Sequence, residues 1–409
     1  MQRCKRDGRR DSASATGTLH WFYYTTDREF RSLRHVGSSV ANKTPRIALR
    51  LGTAHRRNRA WEDAFLNIFV YEFVTGGGWL GRDKAIPASL LREGRAMVTA
   101  VTRDLVDLGL RVTLLRDERL EPIDAPGAKQ HTVASAGQGR GLFERFAIEA
   151  DATLVIAPEL WGEFLDCCRR VVNSGGNLLA SEPYILSITS DKHATCRHLK
   201  ECGVPVPPGR ILGPRSRLPR SFPLPAVLKP RQGAGSIGVY RIDHFDDFLA
   251  HFPQAWPPDE PVRIERFCPG EPLSVSVLCG PESVLVLPPC RQHLSGQAWP
   301  RYLGGSFLPA GEVAQRAEAL ALRVVESFPG MRGYLGIDMI LGNDPQAEED
   351  FVIEVNPRLT TSYLGLRAAC EKNLAGAMLA IYDGQRFSLG FDLGPLEFDS
   401  SGNVTRHTR

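Results

Sequence analysis

Between residues 66 and 180, short apolar runs alternate with amphipathic segments of helical period. The apolar runs predict four strands, at 66–73, 111–116, 152–157 and 177–180. The amphipathic segments predict three helices between them, at 86–109, 143–150 and 164–173. Strands that alternate with helices in this way are typical of a parallel sheet covered by helices. The sequence therefore predicts an N-terminal α/β domain over residues 66–185, with ligands bound at the carboxyl ends of its strands.

Two features follow the strands at that edge of the predicted sheet. The triple glycine at 76–78 lacks the spacing of a dinucleotide fingerprint, so it either lets a substrate approach the backbone or simply makes a turn. Glu159 follows the third predicted strand and faces the same crevice, where one interpretation makes it a substrate ligand.

Two strands of alternating polarity near the C-terminal end, at 337–341 and 351–356, predict a β-hairpin. The side-chain period of a strand is two, so alternate residues of the second strand share a face. One face takes the apolar residues Phe351, Ile353 and Val355. The other face takes Glu354 and Asn356, and Asp338 of the partner strand can reach it.

This polar face predicts a metal site. Asp338, Glu354 and Asn356 supply three oxygen ligands, which suit Mg²⁺ and also suit Mn²⁺. Arg358 follows a proline and is placed to clamp a phosphate. The competing interpretation is a solvated polar face on a hairpin, but a buried strand has no structural need for Glu, Asn and Arg together.

A strand at 225–230 carries Lys229, and an unpaired lysine in an apolar strand is costly, which favours a ligand-binding role. The glycine-rich segment 231–239, here called the glycine loop, follows it. A loop of this kind can fold over phosphates and use its amide N–H groups as donors. Its spacing is not that of a P-loop. Lys192 begins a helix that Ser190 is expected to cap, and taken alone it is an ordinary surface lysine.

The length of 409 residues allows two or three domains with full cores. The nine cysteines are scattered without a C-x-x-C pair, which fits core packing in a reducing cytoplasm. No apolar run approaches membrane-spanning length. Residues 1–60 hold fourteen Lys and Arg against four Asp and Glu. Residues 1–65 are therefore expected to form a basic, disordered extension, and the alternative is an arm that binds nucleic acid.

These motifs, in this order, resemble the ATP-grasp superfamily over roughly residues 66–385. The stretch from Phe69 to Gly78, together with Tyr302-Leu303-Gly304-Gly305, is similar to the tyramine–L-glutamate ligase family of methanofuran biosynthesis. The resemblance implies α/β and α+β architecture, namely an ATP-grasp fold preceded by a parallel α/β (pre-ATP-grasp) domain. It places a small lid subdomain at 186–270 and a metal-binding subdomain at 271–385, followed by a polar tail at 386–409.

The resemblance also implies a role for each matching residue. Lys192 and Lys229 would contact the phosphates of ATP, and Lys229 would act with Arg358 in catalysis. The other ATP-binding residues would be Gly233, Gly235, Ser236, Gly238, Glu265, Arg266, Phe267 and Glu271. The metal ligands would be Asp338, Glu354 and Asn356.

The implied activity is an ATP-dependent carboxylate–amine ligase that works through an acyl phosphate and needs no protein nucleophile. Its partners would be a small-molecule carboxylate and an amine, with no nucleic acid or membrane, and its oligomeric state stays open. By resemblance the acid is glutamate and the amine is tyramine or a tyrosine-like amine, in C1 metabolism. Tyr71, Trp79 and Tyr302 either stack on its phenol or pack in the core. The alternatives are another ATP-grasp amino-acid or dipeptide ligase and a non-catalytic ATP-binding module.

Overall fold

The computed structural model describes residues 66–213, 216, 219–246, 248, 260–296, 300–344 and 346–407, and two short strands before them. The expectation of a disordered extension at 1–65 lies outside the described residues, apart from those two strands. The strands are β1 Leu19–His20, β2 Tyr24–Thr25, β3 Asn67–Glu72, β4 Arg111–Asp117, β5 Lys129–Val133, β6 Ala152–Ile156, β7 Gly209–Leu212, β8 Ala226–Pro230, β9 Tyr240–Ile242, β10 Val262–Arg266, β11 Glu271–Cys279, β12 Ser283–Val286, β13 Cys290–Ser295, β14 Arg301–Phe307, β15 Gly333–Leu341, β16 Phe351–Asn356, β17 Gly390–Phe391, β18 Leu396–Asp399 and β19 Val404–Arg406. The helices of the described residues are α1 Ala88–Asp107, α2 Ala136–Glu149, α3 Glu163–Asn173, α4 Pro183–Thr189, α5 Lys192–Glu201, α6 Glu312–Glu326, α7 Ser362–Ala369 and α8 Leu374–Tyr382, with a 3-10 turn at Leu160–Gly162.

The N-terminal sheet is parallel throughout, in the order β5-β4-β3-β6, which confirms the predicted α/β domain. Two local predictions were wrong. Residues 177–180 make only one bridge, between Thr153 and Leu178, and do not form a strand. The fourth strand of the sheet is β5, whose mostly polar sequence does not show the apolar run used to predict strands. Helix α2 begins seven residues earlier than expected, because Ser135 caps it there. Three glycines in its first turns weaken the apolar pattern, so the sequence did not indicate this start.

The small sheet is antiparallel, in the order β7-β10-β8-β9, and α5 precedes it in the chain. The expected N-cap of α5 was wrong by one residue. Asp191 accepts hydrogen bonds from the backbone N–H groups of His193 and Ala194, at 2.9 and 3.0 Å. This cap makes Lys192 the first residue of α5, and the backbone N–H of Lys192 donates to the carbonyl of Arg231, just after β8, at 2.8 Å.

The large sheet is antiparallel, with its main path β16-β15-β11-β13-β14-β18-β19. Its carboxylate hairpin, β15 and β16, has a bulge after Asp338, which shifts the face that each following residue presents. Val352 and Val355 lie in the core, whereas Ile353 lines a cavity on the other side. The expected alternation of residues 351, 353 and 355 was therefore wrong at this bulge.

The segment 386–409 is not simply a polar tail. Leu389, Phe391, Leu396 and Phe398 are buried, and β18 adds to the large sheet beside β14. Leu396 and Phe398 alternate with Glu397 and Asp399, a short strand pattern that the expectation of a polar tail overlooked. The eight cysteines of the described residues are free thiols, and six of them are buried. No helix in the described part of the chain is long and apolar enough to cross a bilayer.

The N-terminal and C-terminal parts are joined by a buried polar contact. Asp104 of α1 accepts a hydrogen bond from Tyr363 Oη at 2.5 Å and pairs with Arg367, both on α7. This contact fixes α1 against the large sheet. The start of α1 follows the carboxyl end of β3, and this edge of the N-terminal sheet faces the cavity described next.

Candidate active site

A cavity of about 270 Å³ lies between the small sheet and the large sheet, with α1 forming a third wall. Twelve of the fourteen predicted site residues line it: Lys192, Lys229, Gly233, Gly235, Ser236, Glu265, Arg266, Phe267, Asp338, Glu354, Asn356 and Arg358. Gly238 and Glu271 are not among the lining residues. Glu271 instead pairs with Arg291 on the neighbouring strand, where both side chains are partly exposed.

Lys192, at the start of α5, contacts both the carboxylate hairpin and the glycine loop. Its Nζ lies 2.8 Å from Glu354 Oε2 on the carboxylate hairpin and donates to the carbonyl of Gly233, also at 2.8 Å. The side chain is 6% exposed. Burial disfavours its charge, but the attraction of Glu354 outweighs burial, so the pKa of Lys192 is raised. The glycine loop is thereby tied to the hairpin by one ammonium group.

Lys229 projects from β8 and is 2% exposed. Its Nζ lies 2.6 Å from Glu265 Oε1 on the adjacent strand β10, and it also donates to the carbonyl of Ile353 at 3.2 Å. The second oxygen of Glu265 lies 2.7 Å from Arg263 Nε. The lysine that looked unpaired in the sequence is thus held by a buried carboxylate. This ion pair offsets the cost of burying the ammonium group in an apolar strand.

Asp338 and Glu354 stand directly opposite each other in the hairpin. Asp338 accepts hydrogen bonds from Gln292 Nε2 at 2.9 Å and Asn356 Nδ2 at 3.1 Å. Burial and the charge of Glu354 raise the pKa of Asp338 to about 7. The pKa of Glu354 is lowered, because Lys192 and its other cationic neighbours outweigh the effect of burial. Glu354 has Lys192 as a cation, whereas the facing Asp338 has none within ion-pair distance among the described residues, so this donor set fits a hard divalent ion.

No group of three or more His, Cys, Asp or Glu side chains with metal-binding geometry occurs in the described residues. A metal at the hairpin would therefore take two carboxylates, with Asn356 as the third side chain. That arrangement leaves coordination positions for phosphate oxygens and water, as Mg²⁺ prefers.

Arg358 makes a bidentate pair with Glu159, with Nε to Oε1 at 2.9 Å and Nη2 to Oε2 at 2.7 Å. Glu159 follows β6 of the N-terminal sheet and is 3% exposed. Burial opposes the charge of Arg358, but Glu159 outweighs it and raises the pKa of the guanidinium. Glu159 therefore orients Arg358, and a contact of Glu159 with a substrate stays a prediction.

Several lining residues have no counterpart among the predictions. Glu93 and Met97 come from α1, and Gln292 and Leu294 come from β13. Of the three aromatic candidates, Tyr302 lines the cavity, while Tyr71 and Trp79 are buried in the core of the N-terminal domain. The sequence signal for Glu93 was a carboxylate at the edge of the apolar stripe of α1.

Two domain families match this chain. The ATP-grasp domain family matches residues 189–362, and the pre ATP-grasp 3 domain family matches residues 110–184. Together they span most of the N-terminal sheet, the small sheet and the carboxylate hairpin.

Individual relatives agree with these matches. Tyramine–L-glutamate ligase of Methanocaldococcus jannaschii is 32% identical over 303 residues, which are 73% of this chain and 84% of that enzyme. D-alanine–D-alanine ligase of Pelodictyon phaeoclathratiforme is 25% identical over 286 residues, 64% of this chain and 76% of that one. The biotin carboxylase domain of Hydrogenobacter thermophilus 2-oxoglutarate carboxylase, solved with the magnesium salt of ADP, has a TM-score of 0.61 at 15% identity, covering 80% of this chain and 71% of that chain. This last likeness shows the fold alone.

The fold and cavity define a nucleotide-dependent ligase, in which a small sheet and a large sheet enclose a site lined by lysines and carboxylates. The chain belongs to the ATP-grasp superfamily, with a pre-ATP-grasp domain at its N-terminus. The resemblance, the fold class and the carboxylate–amine type of ligase expected from the sequence are confirmed.

Proposed function

We propose that this ligase joins L-glutamate to tyramine, or to a similar aromatic amine, as a step in making a methanofuran-type cofactor. The main support is the arrangement of the cavity, where Lys192, Lys229 and Arg358 surround the carboxylate hairpin. The similarity to the M. jannaschii tyramine–L-glutamate ligase over 84% of its length supports the choice of substrates.

In this proposal ATP occupies the cavity beneath the glycine loop. Lys192 and Lys229 neutralise its phosphates, and Gly233, Gly235 and Ser236 cover them with backbone N–H groups. The end of β10, at Glu265, Arg266 and Phe267, lies against the base. The ion pair of Glu271 with Arg291, outside the cavity lining, gives no support to the implied contact of Glu271 with ATP.

Asp338, Glu354 and Asn356 would hold Mg²⁺ or Mn²⁺, which would neutralise the charge on the β- and γ-phosphates. Arg358 stabilises the phosphoryl group while a carboxylate oxygen of glutamate attacks the γ-phosphorus and ADP leaves. The amine first loses its ammonium proton to water, and its uncharged nitrogen then attacks the carbonyl carbon of the acyl phosphate. Inorganic phosphate leaves and takes up the proton that the nitrogen loses as the amide forms. The closed glycine loop keeps water from the acyl phosphate.

ADP release tests this proposal, with MgATP and glutamate held constant and a panel of amines varied. We expect release that depends on tyramine and a product whose mass equals the two substrates less water. Glu354→Gln should reduce the rate by roughly 100-fold or more, because a preorganised charge at the transferring phosphoryl group is lost. Glu348→Gln, an exposed carboxylate in the loop between β15 and β16, is the matched control and should act like wild type.

The amine panel also separates the competing functions. The D-alanine–D-alanine ligase relatives favour an amino-acid or dipeptide ligase as the second candidate. That candidate predicts ADP release with amino acids and none with tyramine. Tight MgATP binding without ADP release for any acid and amine pair would indicate a non-catalytic ATP-binding module.

A further inference from the structure

The charged side chains of the cavity do not balance in pairs. Its three most buried cations each have a carboxylate within 2.8 Å, in the pairs Lys192–Glu354, Lys229–Glu265 and Arg358–Glu159. Two lining carboxylates, Asp338 and Glu93, have no cation within ion-pair distance among the described residues. The carboxylate hairpin accounts for Asp338, whose expected partner is the metal ion. Glu93 stands on a different wall and needs another explanation.

Glu93 lies on the second turn of α1, one turn before Met97, so both side chains face the cavity. A Cβ added to Gly235 would lie 3.8 Å from Glu93 Oε2, which places the carboxylate beside the glycine loop. Burial raises the pKa of Glu93, and the charges of Arg358 and Arg92 offset this only in part. Neither carboxylate oxygen has a hydrogen-bond partner within the part of the chain that the structure describes.

A half-buried carboxylate without a partner is costly, so its position calls for a cation that arrives with a substrate. Met97 shares the helix face of Glu93, Tyr302 is an electrostatic neighbour of that carboxylate, and the cavity lining also includes the apolar residues Leu294 and Pro300. A metal ion would gain no second carboxylate from these residues. An ammonium group attached to an apolar or aromatic body matches both the charge and the walls.

We propose that Glu93 binds the ammonium group of the amine substrate, and that the apolar wall beside it receives the body of that amine. This inference rests on the proposed function, because it assumes that an amine enters the cavity. It assigns the acceptor amine to the wall formed by α1. The N-terminal domain then contributes amine specificity, while the two other sheets contribute ATP binding.

The test compares Glu93→Gln with Asp107→Asn, which removes a negative charge from an exposed position on the same helix. Two nucleophiles are offered with MgATP and glutamate: tyramine, which carries a positive charge, and hydroxylamine, which is uncharged at neutral pH. Tyramine gives the amide, and hydroxylamine traps the acyl phosphate as a hydroxamate. Binding of MgATP is measured for every variant, to show that each one is folded.

We expect Glu93→Gln to lower kcat/KM for tyramine by roughly 10- to 100-fold, the loss of one charge-assisted hydrogen bond. Hydroxamate formation by the same variant should stay within about twofold of wild type, since hydroxylamine needs no counter-charge. Asp107→Asn should match wild type with both nucleophiles. The selective loss of the charged nucleophile is what a merely structural role for Glu93 would not produce.

Three results would overturn the inference, and they are distinguishable. Full tyramine ligation by Glu93→Gln, or an equal loss with both nucleophiles, removes Glu93 from amine binding while the proposed ligase activity stands. Hydroxamate without a tyramine product in the wild type shows that an apolar-bodied amine is the wrong class for this wall. A wild type that forms no hydroxamate from glutamate refutes the proposed function itself, and this inference falls with it.

Discussion

The Glu159–Arg358 pair links the N-terminal domain to the active-site arginine, and it can be tested by removing its negative charge. The side chains of Arg358 and Glu159 are 10% and 3% exposed, and two hydrogen bonds of 2.9 and 2.7 Å join them. Solvent screening is therefore slight. Removing one partner of such a buried pair leaves an uncompensated charge and costs about 3–5 kcal/mol. We expect Glu159→Gln to lower the free energy of unfolding toward the lower end of that range, since glutamine keeps one acceptor.

A double-mutant cycle isolates the pair. Arg358→Met should also destabilise the protein, and the double variant should lose less than the sum, with a coupling of about 2–3 kcal/mol. Urea denaturation measures all three variants. Glu149→Gln is the matched control, because its pair with Arg145 is about half exposed on both sides and should contribute roughly 0.3–0.5 kcal/mol. A coupling below about 0.5 kcal/mol would refute the argument from burial.

The same variant separates two roles for Glu159. As a positioning residue for Arg358 it should affect kcat, because the proposed mechanism has this arginine stabilise the transferring phosphoryl group. As a substrate ligand it would instead raise KM for one substrate and leave stability nearly unchanged. Loss of stability together with a lower kcat and an unchanged KM is the expected pattern.

Two further substitutions test packing and burial. A Cβ on Gly94 would lie 2.4 Å from Glu72 Oε1, so Gly94→Ala should destabilise the protein. A Cβ on Gly141 in α2 would have no neighbouring atom within 4 Å, so Gly141→Ala should stabilise the protein by about 0.5–1 kcal/mol. Thermal or urea unfolding measures both variants. Burial raises the pKa of Glu318 to about 7. Its raised folded-state pKa favours the folded protein below about pH 4.5 and penalises it increasingly as the pH rises through 7. Glu318→Gln should therefore raise Tm at pH 8 and leave it nearly unchanged at pH 4.5. The control Glu326→Gln, at an exposed position on the same helix, should leave Tm unchanged at both pH values. A gain in Tm of equal size at both pH values for Glu318→Gln would contradict the burial effect.

Local patterns predicted much of this fold because its elements repeat with regular periods. Strands β3, β4 and β6 of the N-terminal sheet and the carboxylate hairpin carry apolar residues at period two or in continuous runs. The pattern failed where other interactions decide the structure. The polar strand β5 forms because the neighbouring strand offers hydrogen bonds at the sheet edge. The bulge after Asp338 moves Ile353 to the cavity, and nothing in the order of apolar and polar residues marks it.

The site was predictable where short motifs carry it and unpredictable where distant segments meet. Lys229, Glu354 and Asn356 stand in runs whose polarity conflicts with the strand around them, so they could be singled out. The contact of Glu159 with Arg358 joins residues 199 positions apart and leaves no local mark. Glu93 did leave a mark, because Leu90, Met97, Val98 and Val101 define the buried face of α1 and residue 93 falls at the edge of that face, beside Met97.

In the proposed mechanism, two carboxylates of the N-terminal domain give that domain a part in catalysis beyond holding a substrate. Glu159 fixes the guanidinium of Arg358 from one element, and Glu93 reaches the glycine loop from another. Both positions depend on the placement of α1 and β6 against the large sheet, which Asp104 secures through Arg367 and Tyr363. A shift of the N-terminal domain would therefore move both the carboxylate that orients Arg358 and the proposed amine site at Glu93. The same domain would in this way position the residues for both proposed steps, activation of the acid and attack of the amine.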